Sequence, residues 1–194
     1  MTESASTEAK RTHSVVTVDL TPYRNNIALT TDKTLHRGML NVWGNSLPAE
    51  VLPHDGLTVG GIPFRGVPGG GAEPDNVRCA GQYLELPRTT ADWLHLLATS
   101  ERRCEETAFV HYASGAADPE WVRVSDFLPA RAHFGEVLAA RSDALHYPHH
   151  RQENLGGRLW AVRIPVTRRE PVCGLRLPDN PALHVFALSL ECVR

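Results

Sequence analysis

Apolar and polar positions alternate with a period of two along much of this chain. In an extended strand successive side chains point to opposite faces. Leu94, Leu96 and Ala98 therefore share one face of the segment Trp93-Leu-His-Leu-Leu97, and Trp93, His95 and Leu97 share the other. Likewise Ala108, Val110 and Tyr112 lie opposite Phe109 and His111, and Val122, Val124 and Asp126 lie opposite Trp121, Arg123 and Ser125. No segment of helical period separates residues 75–87, 93–97 and 109–115, so the pattern predicts strands that find antiparallel neighbours.

Further strands are expected over 14–20, 27–31, 47–52, 57–64, 121–127, 158–166, 172–177 and 183–192, each bounded by turn residues such as Thr21-Pro22, Asp32 and Pro178-Asp-Asn-Pro181. About ten strands at short, regular spacing predict an all-β fold, a single antiparallel jelly-roll-like β-sandwich or a partly closed β-barrel. The glycines of Gly66-Val-Pro-Gly-Gly-Gly71 precede a strand rather than a helix, so they read as a loop and not as a phosphate cradle. Residues 128–157 form the one long connection. Within it Phe134, Val137, Leu138 and Arg141 have helical spacing, and His146-Tyr-Pro-His-His150 is the densest histidine cluster.

The chain has 194 residues, 42% of them hydrophobic, enough for one domain with a full core. The polar first dozen residues reverse the order of a signal peptide, so 1–13 is expected to be a disordered tail and 14–194 the β domain. No apolar run approaches the ~18 residues of a membrane span, and the expectation is a soluble cytoplasmic protein without a membrane partner. Twenty Lys and Arg against 22 Asp and Glu leave a net charge of -2 with no basic stripe, which argues against nucleic acid. Cys79, Cys104, Cys173 and Cys192 form no Cys-x-x-Cys pair and read as small buried hydrophobes.

Pro22-Tyr-Arg-Asn-Asn26, Leu47-Pro-Ala-Glu50, Gly61-Ile-Pro-Phe64, Asp75-Asn-Val77, Leu175-Arg-Leu-Pro178 and His184-Val-Phe-Ala-Leu188 resemble the galactose-binding-like β-sandwich that accompanies many actinobacterial glycoside hydrolases. That resemblance implies a carbohydrate-binding module or a structural spacer. With no companion catalytic domain or export signal in the sequence, the chain also resembles the small β-barrel cyclases of bacterial polyketide pathways, including spiroacetal cyclases. This second resemblance rests on size and class, and implies ring closure on a small, hydrophobic, polyhydroxylated molecule without a cofactor.

If the strands pair in sequence order, one face gathers Trp93, Phe109, Trp121, His95, His111 and Arg123. Rings that supply contact area beside a few polar groups suit a small-molecule or sugar cleft; the alternative is that the rings are core and the histidines bond to backbone. Forming an acetal or ether needs a base for the attacking hydroxyl and an acid for the departing oxygen. The candidate acids and bases are His111, His95, Glu50 and Asp126. Trp93, Trp121, Phe109, Arg123, Tyr147 and His149 are the candidate binding residues. Glu50 lies in a short apolar segment, where it is either a catalytic carboxyl or an acceptor for backbone or Arg donors. Adjacent His149 and His150 point apart on an extended chain, so the histidine cluster reads as a solvated loop or a lid and no metal site is expected.

Overall fold

A computed structural model describes residues 13–128 and 131–193. Residues 1–12 of the expected tail lie outside the described residues, and His13 opens the first strand. In chain order the strands are β1 (His13–Val18), β2 (Leu29–Thr30), β3 (Leu47–Pro48), β4 (Leu57–Val59), β5 (Ile62–Phe64), β6 (Val77–Arg78), β7 (Tyr83–Thr89) and β8 (Trp93–Ser100). They continue as β9 (Cys104–Tyr112), β10 (Ala117–Val124), β11 (Val137–Arg141), β12 (Ala144–Tyr147), β13 (His150–Glu153), β14 (Arg158–Pro165), β15 (Val172–Arg176) and β16 (Leu183–Val193). Among the described residues, only short 3-10 turns, at Thr21–Tyr23, Leu35–Arg37 and Ala49–Val51, interrupt them. No helix among the described residues is long and apolar enough to cross a membrane.

The strands build a β-sandwich and not a closed barrel. The larger sheet has the order β1-β16-β8-β14-β11, with β6 also on β16, and the smaller has the order β10-β9-β15-β7. Leu94, Leu96, Val162, Ile164, Leu188 and Leu190 from the first sheet meet Ala108, Val110, Val122, Val124, Leu84 and Leu175 from the second in one buried core. The period-two face assignments therefore hold for Leu94, Leu96 and Ala98, for Ala108, Val110 and Tyr112, and for Val122 and Val124, all in this core; they stop at the end of β10, where Ser125 is buried and Asp126 only half-buried. What the alternation does not show is partnership. β8 pairs with β14 and β16, whereas β9 pairs with β10 and β15. Sequence-order pairing of β8 with β9 is thereby corrected, because those two strands belong to opposite sheets.

A second layer covers part of the outward face of the larger sheet. Leu29, Leu40, Leu47, Phe64 and Leu145 pack there on Leu97, Leu159 and Phe186. From Leu97 to Ser100 every residue of β8 is consequently buried, so its second half is covered on both faces, while Trp93 and His95 stay half-buried beyond the edge of the layer. A bulge in β16 between Val185 and Ala187 serves both layers, Val185 facing the sandwich core and Phe186 the covering one.

The covering layer is tied down by a buried carboxylate. Asp75 accepts the backbone N–H of Ala28 at 3.0 Å and of Leu29 at 2.8 Å, and the side-chain amide of Asn76 at 2.7 Å. Asn76 Oδ1 in turn accepts from His184 Nδ1 at 2.9 Å. Burial pushes the Asp75 carboxyl up to about 7 and, with the Arg78 charge, the His184 imidazole down to about 3.

Residues 131–157 depart from the expected long connection. Phe134, Val137, Leu138 and Arg141 do not form a helix; Val137–Arg141 is the edge strand β11, bulged between Leu138 and Ala140. The histidine segment is the hairpin β12–β13 rather than a loop, with His149 in its turn. Helical spacing over so few positions is also compatible with a bulged strand, since one extra residue shifts the alternation. Glu50 sits in the 3-10 turn Ala49–Val51 and not in a strand.

Tight backbone approach holds the loop that carries the β4–β5 hairpin. Gly56 has φ +94°, and a Cβ at Gly66 would collide with the His54 carbonyl oxygen. Gly66→Ala should destabilise the protein by about 1–3 kcal/mol, the usual cost of overpacking, seen as a lower urea midpoint with unchanged slope. A wild-type midpoint in the variant would show that the loop relaxes freely.

Candidate functional site

A cleft of about 670 Å³ opens where the covering layer stops. Its floor is the uncovered outward face of the larger sheet, carrying His95 of β8 and Arg163 of β14, which lie opposite each other in register. The β4–β5 hairpin, through Val59 and Ile62, forms one wall. The other wall comes from the smaller sheet. β11 pairs with β14 only between Val137↔Ala161 and Arg141↔Arg158, so the second half of β14 has a free edge, and β10 packs beside it. Glu120, Trp121 and Arg123 thereby reach the cleft, together with the loop at Phe134.

Non-local pairing creates the chemistry of the floor. Glu191 lies on the outward face of β16, two pairs along from Ser189↔His95, and its Oε2 is 2.8 Å from His95 Nε2. Both side chains are mostly shielded from solvent. With Nε2–H donating to this carboxylate, the imidazole lone pair is on Nδ1.

The other acids differ in their surroundings. Glu136 is a clamp, its Oε1 accepting the Ser125 N–H at 2.7 Å and its Oε2 the Phe134 N–H at 2.9 Å, which fixes the loop forming the wall. Glu120 is half-buried, and burial followed by the neighbouring Asp118 charge raises its carboxyl above the ordinary range. Asp118 itself is held low, first by its hydrogen bonds to Arg168, whose Nε and Nη2 both lie 2.7 Å from it. Among the described residues, no group of three or more His, Cys, Asp and Glu converges as a metal site.

Two arginine–tryptophan stacks frame the cleft. The Arg163 guanidinium lies 4.5 Å from the centre of the Trp93 ring, and the Arg123 guanidinium 5.1 Å from that of Trp121. Trp121 is 58% exposed. Arg123 Nε also donates to Glu105 at 3.0 Å, on the solvent side of the smaller sheet.

Of the sequence candidates, His95, Trp121 and Arg123 line this cleft, and Trp93 borders it through Arg163. The others lie elsewhere. Phe109 and His111 are on the outer face of the smaller sheet, where Phe109 is 39% exposed and His111 meets the Tyr83 ring edge-on at 5.0 Å. Asp126 follows β10 at the end of the sandwich, its main-chain oxygen accepting from Trp160 Nε1 at 2.9 Å. Glu50 is two-thirds exposed and 3.4 Å from Arg151, matching the acceptor alternative in its Arg form. Tyr147 stacks on His150 with ring centres 4.8 Å apart, and His149 is exposed in the hairpin turn on the covering layer.

Sequence reasoning missed Glu191, Glu120 and Arg163. Period-two alternation does place Glu191 and Arg163 outside the core, between Leu190 and Cys192 and between Val162 and Ile164. Nothing local distinguishes them from ordinary solvent-facing charges.

Residues 13–193 match the family described as the AziU2-like beta-sandwich domain, and the chain belongs to that family. No curated protein matches it.

Proposed function

We propose that this protein is a biosynthesis-associated domain whose cleft binds a small polyhydroxylated molecule and moves protons during its ring closure. One observation carries the reading: His95, paired with Glu191, stands in the floor of a walled cleft of the size that holds small organic ligands. His95 Nδ1 takes the proton of the attacking hydroxyl while Glu191 holds the ring and balances its charge. Glu120, whose carboxyl keeps its proton to a higher pH than an ordinary glutamate, returns a proton to the departing oxygen. Trp121 supplies contact area. The AziU2-like family, which relates to biosynthetic proteins, supports the setting, and the reading asks for no nucleic acid.

The test is to mix purified protein with an uncyclised dihydroxy-ketone precursor, whose second hydroxyl displaces the former carbonyl oxygen as water, and follow product against the spontaneous reaction across pH. Because the acid form of Glu120 is the active one, the rate should fall as pH rises through its elevated pKa. Glu120→Gln should lower the rate and remove that limb. Sugar binding in the same cleft, with no conversion of any precursor, would favour a carbohydrate-binding module instead.

A further inference from the structure

The cleft contains a cation that no acid among the described residues pairs with. Among the described residues, Arg163 forms no ion pair, although Glu120 and Glu136 line the same cleft and Glu191 pairs with the neighbouring His95. Glu191 faces His95, and both oxygens of Glu136 accept backbone N–H groups. The Arg163 guanidinium carbon instead lies over the Trp93 ring, 4.5 Å from its centre. Stacking of this kind uses the guanidinium's flat faces and leaves its N–H donors free in the plane, the geometry that receives an oxyanion through two parallel hydrogen bonds. Arg123 repeats the arrangement on the opposite wall. Its Nε is taken by Glu105, and its face is over Trp121.

We infer that the cleft recognises an organic oxyanion, with Arg163 as its primary anchor and Arg123 as a second, weaker one on the opposite wall. Register places this anchor beside the proton-transfer pair, since Arg163 is opposite His95 on the neighbouring strand. A ligand whose carboxylate or phosphate is held by Arg163 therefore presents its adjoining carbons and hydroxyls to the imidazole. Trp93 acts as a positioning residue, because it touches the guanidinium and not the cleft lining. The inference rests on the cleft being the ligand site, and it extends the ring-closure reading by naming the substrate as an acid.

Three probes of one shape separate the possibilities: benzoate, phenyl phosphate and the neutral benzamide. Each is titrated into nitrogen-15-labelled protein, following the Arg163 Nε–H and the Trp93 and Trp121 indole N–H signals. The expected result is saturable shifts at Arg163 and Trp93 with the two anions and none with benzamide, the tighter anion showing whether carboxylate or phosphate is preferred. Arg163→Gln should weaken anion binding about ten-fold or more, Arg163→Lys by less, and Arg102→Gln, an exposed change in the β8–β9 turn, not at all. Equal binding of benzamide, or undiminished benzoate binding by Arg163→Gln, would overturn the inference. His95→Gln distinguishes its failure from failure of the proton-transfer reading. Loss of turnover on a neutral precursor without any anion binding leaves only proton transfer standing, and benzoate binding without turnover leaves only the oxyanion site.

Discussion

His95→Gln should lower the rate of ring closure by roughly 100-fold or more while leaving the ligand dissociation constant within a few-fold, the signature of a group that acts on the transition state. Glutamine keeps a hydrogen-bond donor for Glu191 but has no basic nitrogen at neutral pH. The substitution thus removes the proton acceptor and little else. Glu191→Gln should cost less, about 10-fold to 100-fold, because the imidazole remains but loses the carboxylate that fixes its tautomer and orientation. Trp121→Ala should instead weaken binding with little change in turnover, since a stacking ring contacts substrate and transition state alike. His111→Gln, Glu50→Gln and Asp126→Asn, outside the cleft, should leave the rate unchanged. Initial rates and dissociation constants measured side by side decide the matter. A wild-type rate in His95→Gln, or a loss as large in His111→Gln, would remove His95 from its role.

Asp75→Ala should destabilise the fold by about 3–5 kcal/mol, because it strands the buried Ala28 and Leu29 N–H groups and the Asn76 amide together. For a chain of this size the corresponding fall in Tm is on the order of 10 °C. The milder Asp75→Asn gives a test that depends on pH rather than on size of loss. Asp75 moves from an ordinary 3.8 to about 7, so the native state holds a proton that the unfolded chain has released, and its contribution declines as pH rises through that window. His184 moves from an ordinary 6.5 to about 3, so here the unfolded chain holds the extra proton, and its contribution grows as pH rises. The two slopes oppose each other between pH 3.8 and 6.5. Removing the carboxyl leaves the histidine unopposed. Urea unfolding of Asp75→Asn should therefore gain stability with pH across this range more steeply than wild type, by up to about 1.4 kcal/mol per pH unit. Parallel pH profiles for the two proteins would show that Asp75 is ionised in the native state throughout.

The period-two pattern alone determined that this protein is all-β and which face of β8, β9 and β10 enters the core. Leu94, Leu96, Val110, Val122 and Val124 are placed by it because burial on one side and solvent on the other leave a local record in the sequence. Partnership leaves no such record. Sequence order suggested that β8 and β9 are neighbours, and so placed His95 and His111 on one surface. Pairing of β8 with β16, formed by residues almost a hundred positions apart, instead brings His95 to Glu191 and separates it from His111. The covering layer is equally silent in local pattern, because its short strands and 3-10 turns are stabilised by Asp75 and by packing on β8 rather than by their own periodicity. Which outward charges become a site was decided only by where that layer ends and where β10 folds against the free edge of β14. The alternation of a strand is fixed by its own backbone geometry, whereas a cleft is made by chain segments that meet only in three dimensions.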